Sequence, residues 1–370
     1  VFLREIGWSG FRNLETCTIP LEPGFNVFEG DNGQGKTNLL EAVYWLATLR
    51  PLRATRLSEL IRFGARRCTV SGRVVLDGLT HRLEARIEDG ERLCLREDKP
   101  CRPGEYFGTL AVVLFTPDDV GLVRGPPGDR RRYLDRAVFT GRPGHLADVL
   151  AYQRALAARN ELLRTSEDAA LHDSFEEALA GPARRLLTAR AAYVERLDAV
   201  LRRRVPRDHR GHRSADADLP AEPRAPGPEE TLAAQWAADR DRDRERGFTG
   251  KGPHADDFGL GLAERSARLY ASQGQQRALV LALKIAEIRL LEAFFGLTPV
   301  LLLDDVSSEL DAERNARLFE LLHGFSGQVL ITTTEARHVR TPGAARELRV
   351  EAGRVTVVQG APDSVPVELS

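Results

Sequence analysis

Apolar positions change their period several times along this chain, and each change marks a new kind of element. Residues 1–6 and 15–21 alternate apolar and polar around the turn Gly10-Phe11-Arg12-Asn13, the period of strands. Phe25-Asn26-Val27-Phe28 is a short apolar run, and after a glycine-rich loop Leu39, Leu40, Ala42 and Val43 return at helical spacing. Strand, tight loop and helix are expected there. Cys68–Leu76, His81–Glu88 and Arg92–Arg96 read as three strands joined at Asp77-Gly78 and Asp89-Gly90, dipeptides suited to two-residue hairpin turns. This predicts an antiparallel meander. Leu110–Phe115 is continuously apolar, as in a strand covered on both faces.

Beyond Pro117 the period becomes helical. From Arg130 to about Arg204 the chain is rich in Ala, Leu, Glu and Arg and poor in β-branched residues. Gly181-Pro182 interrupts the run, with proline where a new helix could start. A helical subdomain inserted into an α/β unit is expected. His209–Glu229, with Pro220, Pro223, Pro226 and Pro228, predicts an exposed irregular loop. Asp239–Arg246 alternates in sign and predicts a solvated helix face. Leu279, Leu283, Ala286 and Leu290 define an amphipathic helix, and Leu348–Val358 a last hairpin around Ala352-Gly353. Residues 360–370 read as a disordered tail.

With 370 residues, 42% of them hydrophobic, the chain can bury a substantial core and hold two or three subdomains. A net charge of −1 creates no global field for nucleic acid, so any such site is a local patch. Cys17, Cys68, Cys94 and Cys101 lack metal-ligand spacing and read as reduced packing residues. No signal pattern and no membrane-length apolar run is visible, which predicts no membrane partner and a cytoplasmic protein.

The chemistry concentrates at Gly30-Asp31-Asn32-Gly33-Gln34-Gly35-Lys36-Thr37, a P-loop pattern between strand and helix. Glycines at 30, 33 and 35 clear space for backbone N–H groups to reach a triphosphate, and the following helix start directs its unpaired N–H groups there. Lys36 supplies charge to the β and γ phosphates, and the Thr37 hydroxyl joins a Mg²⁺ shell. A glycine-rich turn that merely caps a helix is the alternative. Lysine usage weighs against it. Of 53 basic residues only Lys36, Lys99, Lys251 and Lys284 are lysine, and one of them stands here.

Two further stretches complete a site. Val300-Leu301-Leu302-Leu303 runs into Asp304-Asp305, a buried strand ending in carboxylates at the edge where doubly wound sheets bind ligands. Beside a P-loop this is a Walker B segment, with Asp304 on Mg²⁺ and Asp305 orienting the attacking water. Ser272-Gln273-Gly274-Gln275-Gln276 opens the amphipathic helix. Ser272 and Gln275 fit a capping box, which needs no ligand, yet a capped start bearing Ser and Gly is also an anion site.

The succession of P-loop, Ser272–Gln276, Walker B and Ser308-Glu309-Leu310-Asp311 resembles ABC-type ATPase heads of the SMC group and, in its details, the RecF family of bacterial recombination mediators. Phe11-Arg12-Asn13, Gly30–Ala42, Phe115-Thr116-Pro117-Asp118-Asp119, Arg130–Asp135, Gly252-Pro253-His254 and Ser272–Arg277 carry the likeness, over about residues 2–335. The resemblance implies an α/β, ABC-ATPase-like head with an inserted helical lobe and no long coiled coil. Residues 1–115 would form the N-terminal part of the ATPase lobe, 116–260 the helical lobe, 261–358 the signature helix and Walker B part, and 359–370 a tail. It implies ATP and Mg²⁺ held between two copies of the chain. Lys36, Thr37 and Asp304 would come from one copy and Ser272, Gly274 and Gln275 from the other, with Asp311 in the interface. Arg12 and Asn13 would lie near the adenine, with Asn32 and Asn38 at the P-loop. The 115–119 segment would take the Q-loop place.

The implied function is an ATP-gated homodimer that clamps duplex DNA at single-strand gaps, works with RecR and RecO, and promotes RecA loading. Arg53, Arg56, Arg130, Arg131 and Arg132, or Arg202-Arg203-Arg204, are candidate DNA contacts that fit plain surface equally well. The chain departs from the family pattern at Ala255, where an arginine is expected. It departs from transporter ATPases at Pro117-Asp118, at Thr332-Thr333-Thr334 and at Asp305, where they use a Q-loop glutamine, a switch histidine and a glutamate. Slow, DNA-stimulated hydrolysis is the expectation. A transporter ATPase subunit is the runner-up, and a P-loop kinase has no use for the Ser272 motif.

Overall fold

The computed structural model describes residues 1–52, 56–202, 229–262, 265–305, 324–336 and 343–359, with isolated positions between 319 and 341. Arg53, Arg203, Arg204, residues 209–228, the Ser308–Asp311 stretch and the tail from 360 lie outside these. Two compact units emerge, residues 1–119 with 291–370 and residues 120–290.

The first unit is built on two sheets. β1 (Phe2–Ser9), β2 (Cys17–Pro20), β4 (Arg67–Leu76), β5 (Leu79–Glu88), β6 (Glu91–Arg96) and β7 (Lys99–Pro100) form an antiparallel sheet in the order β2-β1-β4-β5-β6-β7. The expected meander is there, and its turns explain it. Asp77-Gly78 and Asp89-Gly90 both hold two successive positive φ angles, 51° and 79°, then 51° and 80°. That matches the right-handed twist of the flanking strands. Glu97-Asp98 makes a third such turn, at 51° and 62°, without a glycine to announce it.

The second sheet contains β3 (Phe25–Glu29), β8 (Val112–Phe115), β11 (Val300–Leu303), β12 (Val329–Thr333), β13 (Arg346–Glu351) and β14 (Arg354–Gln359), ordered β14-β13-β3-β12-β11-β8. All neighbours are parallel except the β13–β14 hairpin. Helix α1 (Lys36–Thr48) packs against β4 and β5 of one sheet and β12 and β8 of the other. Leu39, Leu40, Ala42, Val43, Trp45 and Leu46 are all fully buried, so the helix is apolar nearly all round. A helix of that kind belongs between layers, not on a surface. Phe11 stacks on Trp45 with centroids 5.8 Å apart. The short helix α2 (Pro103–Tyr106) is pinned by Tyr106, whose hydroxyl donates to the Leu46 carbonyl at 2.7 Å. All four cysteines are free, and burial pushes the Cys68 and Cys94 thiols up to about 11.

The second unit is helical: α3 (Gly121–Arg124), α4 (Pro127–Gly141), α5 (His145–Thr165), α6 (Ala169–Arg202), α7 (Glu229–Arg246), α8 (Ala267–Tyr270) and the start of α9 (Gln273–Phe295), with a small ribbon β9 (Gly261–Leu262) and β10 (Arg265–Ser266). Val149, Tyr152, Leu179, Ala183, Leu186 and Trp236 form the core of α5, α6 and α7.

Three sequence expectations are corrected here. Gly181-Pro182 does not divide two helices, because α6 runs through with Pro182 inside it. Proline removes the bond to the carbonyl of residue 178, and Ala178 is exposed, so the lost bond lies on an open face of the helix. The charged run 239–246 is not wholly a solvated face. Asp243 is buried and pairs at 2.8 Å with Arg159, itself fully buried and bound to Glu176 at 2.9 Å. Arg130 is not a surface arginine. It is buried, with Nε and Nη2 each donating at 2.7 Å to Asp257. That rules it out as a DNA contact in this conformation. Arg131 donates to the Asp256 carbonyl at 2.6 Å, and Arg132 is exposed beside Asp129.

Candidate nucleotide site

The site grows from the carboxyl edge of the parallel sheet. β3 ends at Glu29 and the chain turns through 30–35 into α1, while β11 ends at Leu303 and delivers Asp304. The two strands are separated by β12. This geometry brings Thr37 and Asp304 together, with Thr37 Oγ1 donating to Asp304 Oδ1 at 2.9 Å. The pair is a hydroxyl and a carboxylate side by side at the start of a helix, the oxygen donors a Mg²⁺ ion takes with a bound phosphate.

Lys36 is buried, and its ammonium donates to the carbonyls of Gly30 at 2.6 Å and Asp31 at 2.9 Å. It thus arches back over its own loop. Burial lowers its pKa, and Asp305, Asp304 and Asp31 act in the opposite direction. A lysine so placed is a point charge at the mouth of the loop. Space beside Gly33 is open, as a phosphate cradle needs. Gly30 has a second reason to be glycine, since a Cβ there would meet the Val350 carbonyl oxygen of β13 at 2.2 Å.

The 10–13 turn locks onto α1. Arg12, held at φ 49°, donates through Nε and Nη2 to the Glu41 carboxylate at 2.8 and 3.1 Å, and through Nη1 to the Glu59 carbonyl at 2.8 Å. Asn38 Nδ2 donates to Asn13 Oδ1 at 2.8 Å. Arg12, Asn13 and Asn38 are therefore beside the P-loop, and Asn32 is exposed within it.

Two contacts escaped the sequence reading, one of them made by Thr332, which the sequence places only at the switch-histidine position. Thr332 Oγ1 lies 2.9 Å from Asp304 Oδ1 and accepts the Asp305 N–H at 3.0 Å. The β13–β14 turn also reaches the P-loop. Gln34 accepts the Ala352 N–H on its side chain and the Gly353 N–H on its carbonyl, and Glu15 N–H donates to Gly353 at 2.9 Å. The turn dipeptide was visible in the sequence, but its docking point, more than three hundred positions away, was not. At 115–119, Thr116 N–H and hydroxyl both donate to Asp119, closing a compact turn.

In the other unit the start of α9 is a reciprocal capping box. Ser272 N–H donates to Gln275 Oε1 at 2.8 Å and Gln275 N–H to Ser272 Oγ at 3.3 Å. Ser272 and Gln275 are exposed and Gly274 half-buried. Gln276 is buried and donates to the Ala271 carbonyl at 2.9 Å. The structural role of the Ser-x-x-Gln pattern is thus realised while its polar atoms stay at the surface. Asp311 falls outside the described residues.

A P-loop closing one strand and an acid closing the next strand but one, under a helix sandwiched by an antiparallel sheet, is the architecture of an SMC-type ATPase head. Solved Smc heads share the fold; that of Pyrococcus furiosus superposes with a TM-score of 0.57 at 16% identity over 96% of both chains. The family described as RecF/RecN/SMC N terminal domain matches residues 2–356. The chain belongs to this family, and within it to the RecF proteins of DNA replication and repair. The RecF of Myxococcus xanthus is 45% identical over 367 residues, 94% of this chain and 95% of that protein. The RecF of Geobacter sp. strain M21 is 42% identical over 95% of this chain and 99% of its own length. A solved structure described as the recombination mediator protein RecF-ATP in the RecFOR pathway superposes with a TM-score of 0.86 at 29% identity, over 97% of this chain and 98% of that one.

Proposed function

We propose that the protein is an ATP-dependent DNA-binding protein of recombinational repair and replication, whose ATP-induced homodimer grips duplex DNA at single-strand gaps and promotes RecA loading. The observation that carries this is the Thr37–Asp304 contact at 2.9 Å beneath the P-loop, in a chain of the RecF family. Gly30, Asn32, Gly33, Gly35 and Asn38 line the loop, with Arg12 and Asn13 on its adenine side, and Lys36 neutralises the β and γ phosphates. Thr37 and Asp304 would hold Mg²⁺, which would supply Lewis-acid neutralisation of phosphate charge. Asp305 orients the attacking water. Ser272, Gly274 and Gln275 of a second copy complete the γ-phosphate site, with Asp311 in the interface.

Ser272 and Gln275 are exposed, which leaves them accessible to a second copy of the chain. Hydrolysis is slow and DNA-stimulated on this reading, and serves to release the clamp. The division at residues 115, 260 and 358 belongs to the same reading. So do a cytoplasmic location and RecR and RecO as partners. The RecF-ATP structure of the RecFOR pathway supports the choice of nucleotide and partners. A transporter subunit is disfavoured by the RecF relatives. No helix among the described residues is long and apolar enough to cross a membrane.

The test combines sizing and gapped-DNA binding, with and without ATP, for wild type, Lys36→Met and Ser272→Arg. Wild type is expected to dimerise and bind only with ATP. Lys36→Met loses nucleotide, dimer and DNA together, while Ser272→Arg keeps nucleotide and loses the dimer. Normal ATP-dependent dimerisation of Ser272→Arg would overturn the role in trans.

A further inference from the structure

Among the described residues Phe63 is the most exposed large apolar side chain, with no neighbour covering any part of its ring. It stands at the second position of a four-residue turn, closed by the Ala65 N–H donating to the Arg62 carbonyl at 2.9 Å, with Gly64 at φ 83°. A positive φ at the third position is the signature of a type II turn, which serves as the mount of the ring. The mount is fixed from below. Arg62 N–H donates to the Gly10 carbonyl and Arg12 N–H to the Leu60 carbonyl, both at 2.8 Å, and Ile61 bridges Phe11. Arg12 and Phe11 are the residues that clamp Glu41 and Trp45 of the P-loop helix. The ring is therefore held on the same frame as the nucleotide loop.

Its surroundings are basic. Arg56, Arg62, Arg66 and Arg67 are all exposed in the same short stretch, against the single acid Glu59. Among the described residues Arg66 has no ion pair, and Arg67 has a loose one, 3.7 Å from Glu88. A docking site for an apolar protein surface would present contiguous apolar area. An isolated aromatic ring among exposed arginines, Arg66 without an ion pair among the described residues and Arg67 only loosely paired, suits a polyanion whose units carry π faces, which is a nucleic acid strand.

We propose that the Phe63 turn reads the place where duplex DNA gives way to single strand. Phe63 stacks on the base left exposed at the duplex end, and Arg62 and Arg66 hold the flanking phosphates. This rests on the DNA-clamp reading above and adds the element that distinguishes a gap from continuous duplex. Base stacking is independent of sequence, so the site recognises a structure and not a sequence.

The experiment measures ATP-dependent affinity for a gapped duplex and a continuous duplex of equal length, for wild type, Phe63→Ala, Phe63→Trp and the Arg62→Ala/Arg66→Ala double variant. A 2-aminopurine at the gap edge reports stacking. Phe63→Ala is expected to keep continuous-duplex affinity within about twofold while losing roughly tenfold in gap preference, together with the 2-aminopurine quenching. Phe63→Trp retains both. The double variant weakens binding to both DNAs and lowers the salt slope by about 2. Unchanged gap preference and quenching in Phe63→Ala, with duplex binding intact, would overturn this proposal alone and leave the ring to a protein partner. A wild type that binds neither DNA with ATP would overturn the clamp reading and this one with it.

Discussion

Thr332 and Asp304 meet at 2.9 Å, and the same hydroxyl oxygen takes the backbone N–H of Asp305 at 3.0 Å. One threonine on β12 therefore fixes the carboxylate of the acid at the end of the neighbouring strand and the backbone of the next residue. Asp304 Oδ1 in turn accepts from Thr37 on α1, so strand, strand and helix converge on one oxygen. The sequence marks this residue only as standing in the place of a transporter switch histidine, and the structure shows it in contact with Asp304 and Asp305.

Replacing Thr332 with valine removes the hydroxyl and leaves the rest of the side chain. Partners of metal-ligating carboxylates are worth roughly 10–100-fold in metal affinity. Thr332→Val should weaken ATP binding in the presence of Mg²⁺ by about that factor and leave Mg²⁺-free binding unchanged. Calorimetric titration with and without Mg²⁺ separates the two. Equal weakening in both conditions would show that Thr332 holds the loop and not the metal ligand.

The β13–β14 turn that hydrogen-bonds the P-loop through Gln34 is also packed closely against the 10–13 turn. A Cβ on Gly353, at φ 81°, would come 2.1 Å from the Asn13 carbonyl oxygen. Gly353→Ala should destabilise the protein by about 1–3 kcal/mol and weaken nucleotide binding, because Gln34 loses its anchors. Ala352 already sits at φ 48°, and Ala352→Gly should cost nothing or stabilise by under about 1 kcal/mol. Thermal midpoints and ATP affinities of the two variants give the comparison.

What could be read from the sequence follows from how far each signal reaches. The P-loop and the Walker B strand are contiguous patterns, and so are the turns at Asp77-Gly78, Asp89-Gly90 and Ala352-Gly353, so local chemistry was enough to place them. Arg130-Arg131-Arg132 was not decidable locally. Consecutive helical residues point about 100° apart, so one of three can face inward, and the choice fell on Arg130 because Asp257 arrives from far along the chain. Asp243 is the same case, drawn inside by Arg159. Thr332 stood out only as part of the threonine run at the switch-histidine place, and its contact with Asp304 depended on which strand lies beside it. Pro182 misled because the core packing of Leu179, Ala183 and Leu186 on either side of it carries α6 through the lost hydrogen bond.

Arg159 is the centre of the helical unit's buried charge. It binds Glu176 on α6, Asp243 on α7 and the Thr249 hydroxyl, and Arg240 adds a second cation to Glu176 at 2.6 Å. Removing one partner of a buried pair strands the others. Arg159→Ala should therefore cost about 3–5 kcal/mol, far beyond a surface arginine such as Arg132, for which about 0–1 kcal/mol is expected. Urea unfolding of both variants tests this, and a small loss for Arg159→Ala would mean that water reaches the acids.

His254 ties the Gly252-Pro253-His254 loop to α5. Tyr152 Oη lies 2.6 Å from its Nδ1 and the Thr249 carbonyl 2.8 Å from its Nε2, so Nε2 carries a proton donated to that carbonyl. Burial lowers its pKa below the ordinary 6.5, Arg131 adds to the effect, and the Thr249 carbonyl, Asp256 and Asp243 oppose it. The unfolded chain thus binds this proton more readily than the folded one. The resulting stability is complete above about pH 6.5 and is lost as pH falls through the folded value. Asp256, whose pKa burial raises above 3.8, has the opposite sign, and its contribution fades as pH rises beyond that value. Between pH 7.5 and 5.5 the histidine therefore sets the direction at this loop, and the wild-type urea midpoint should fall. His254→Gln, which keeps a donor and an acceptor without a titrating group, should be less stable at pH 7.5 but show a smaller fall. An equal fall in both proteins would assign the pH dependence to other histidines of the chain.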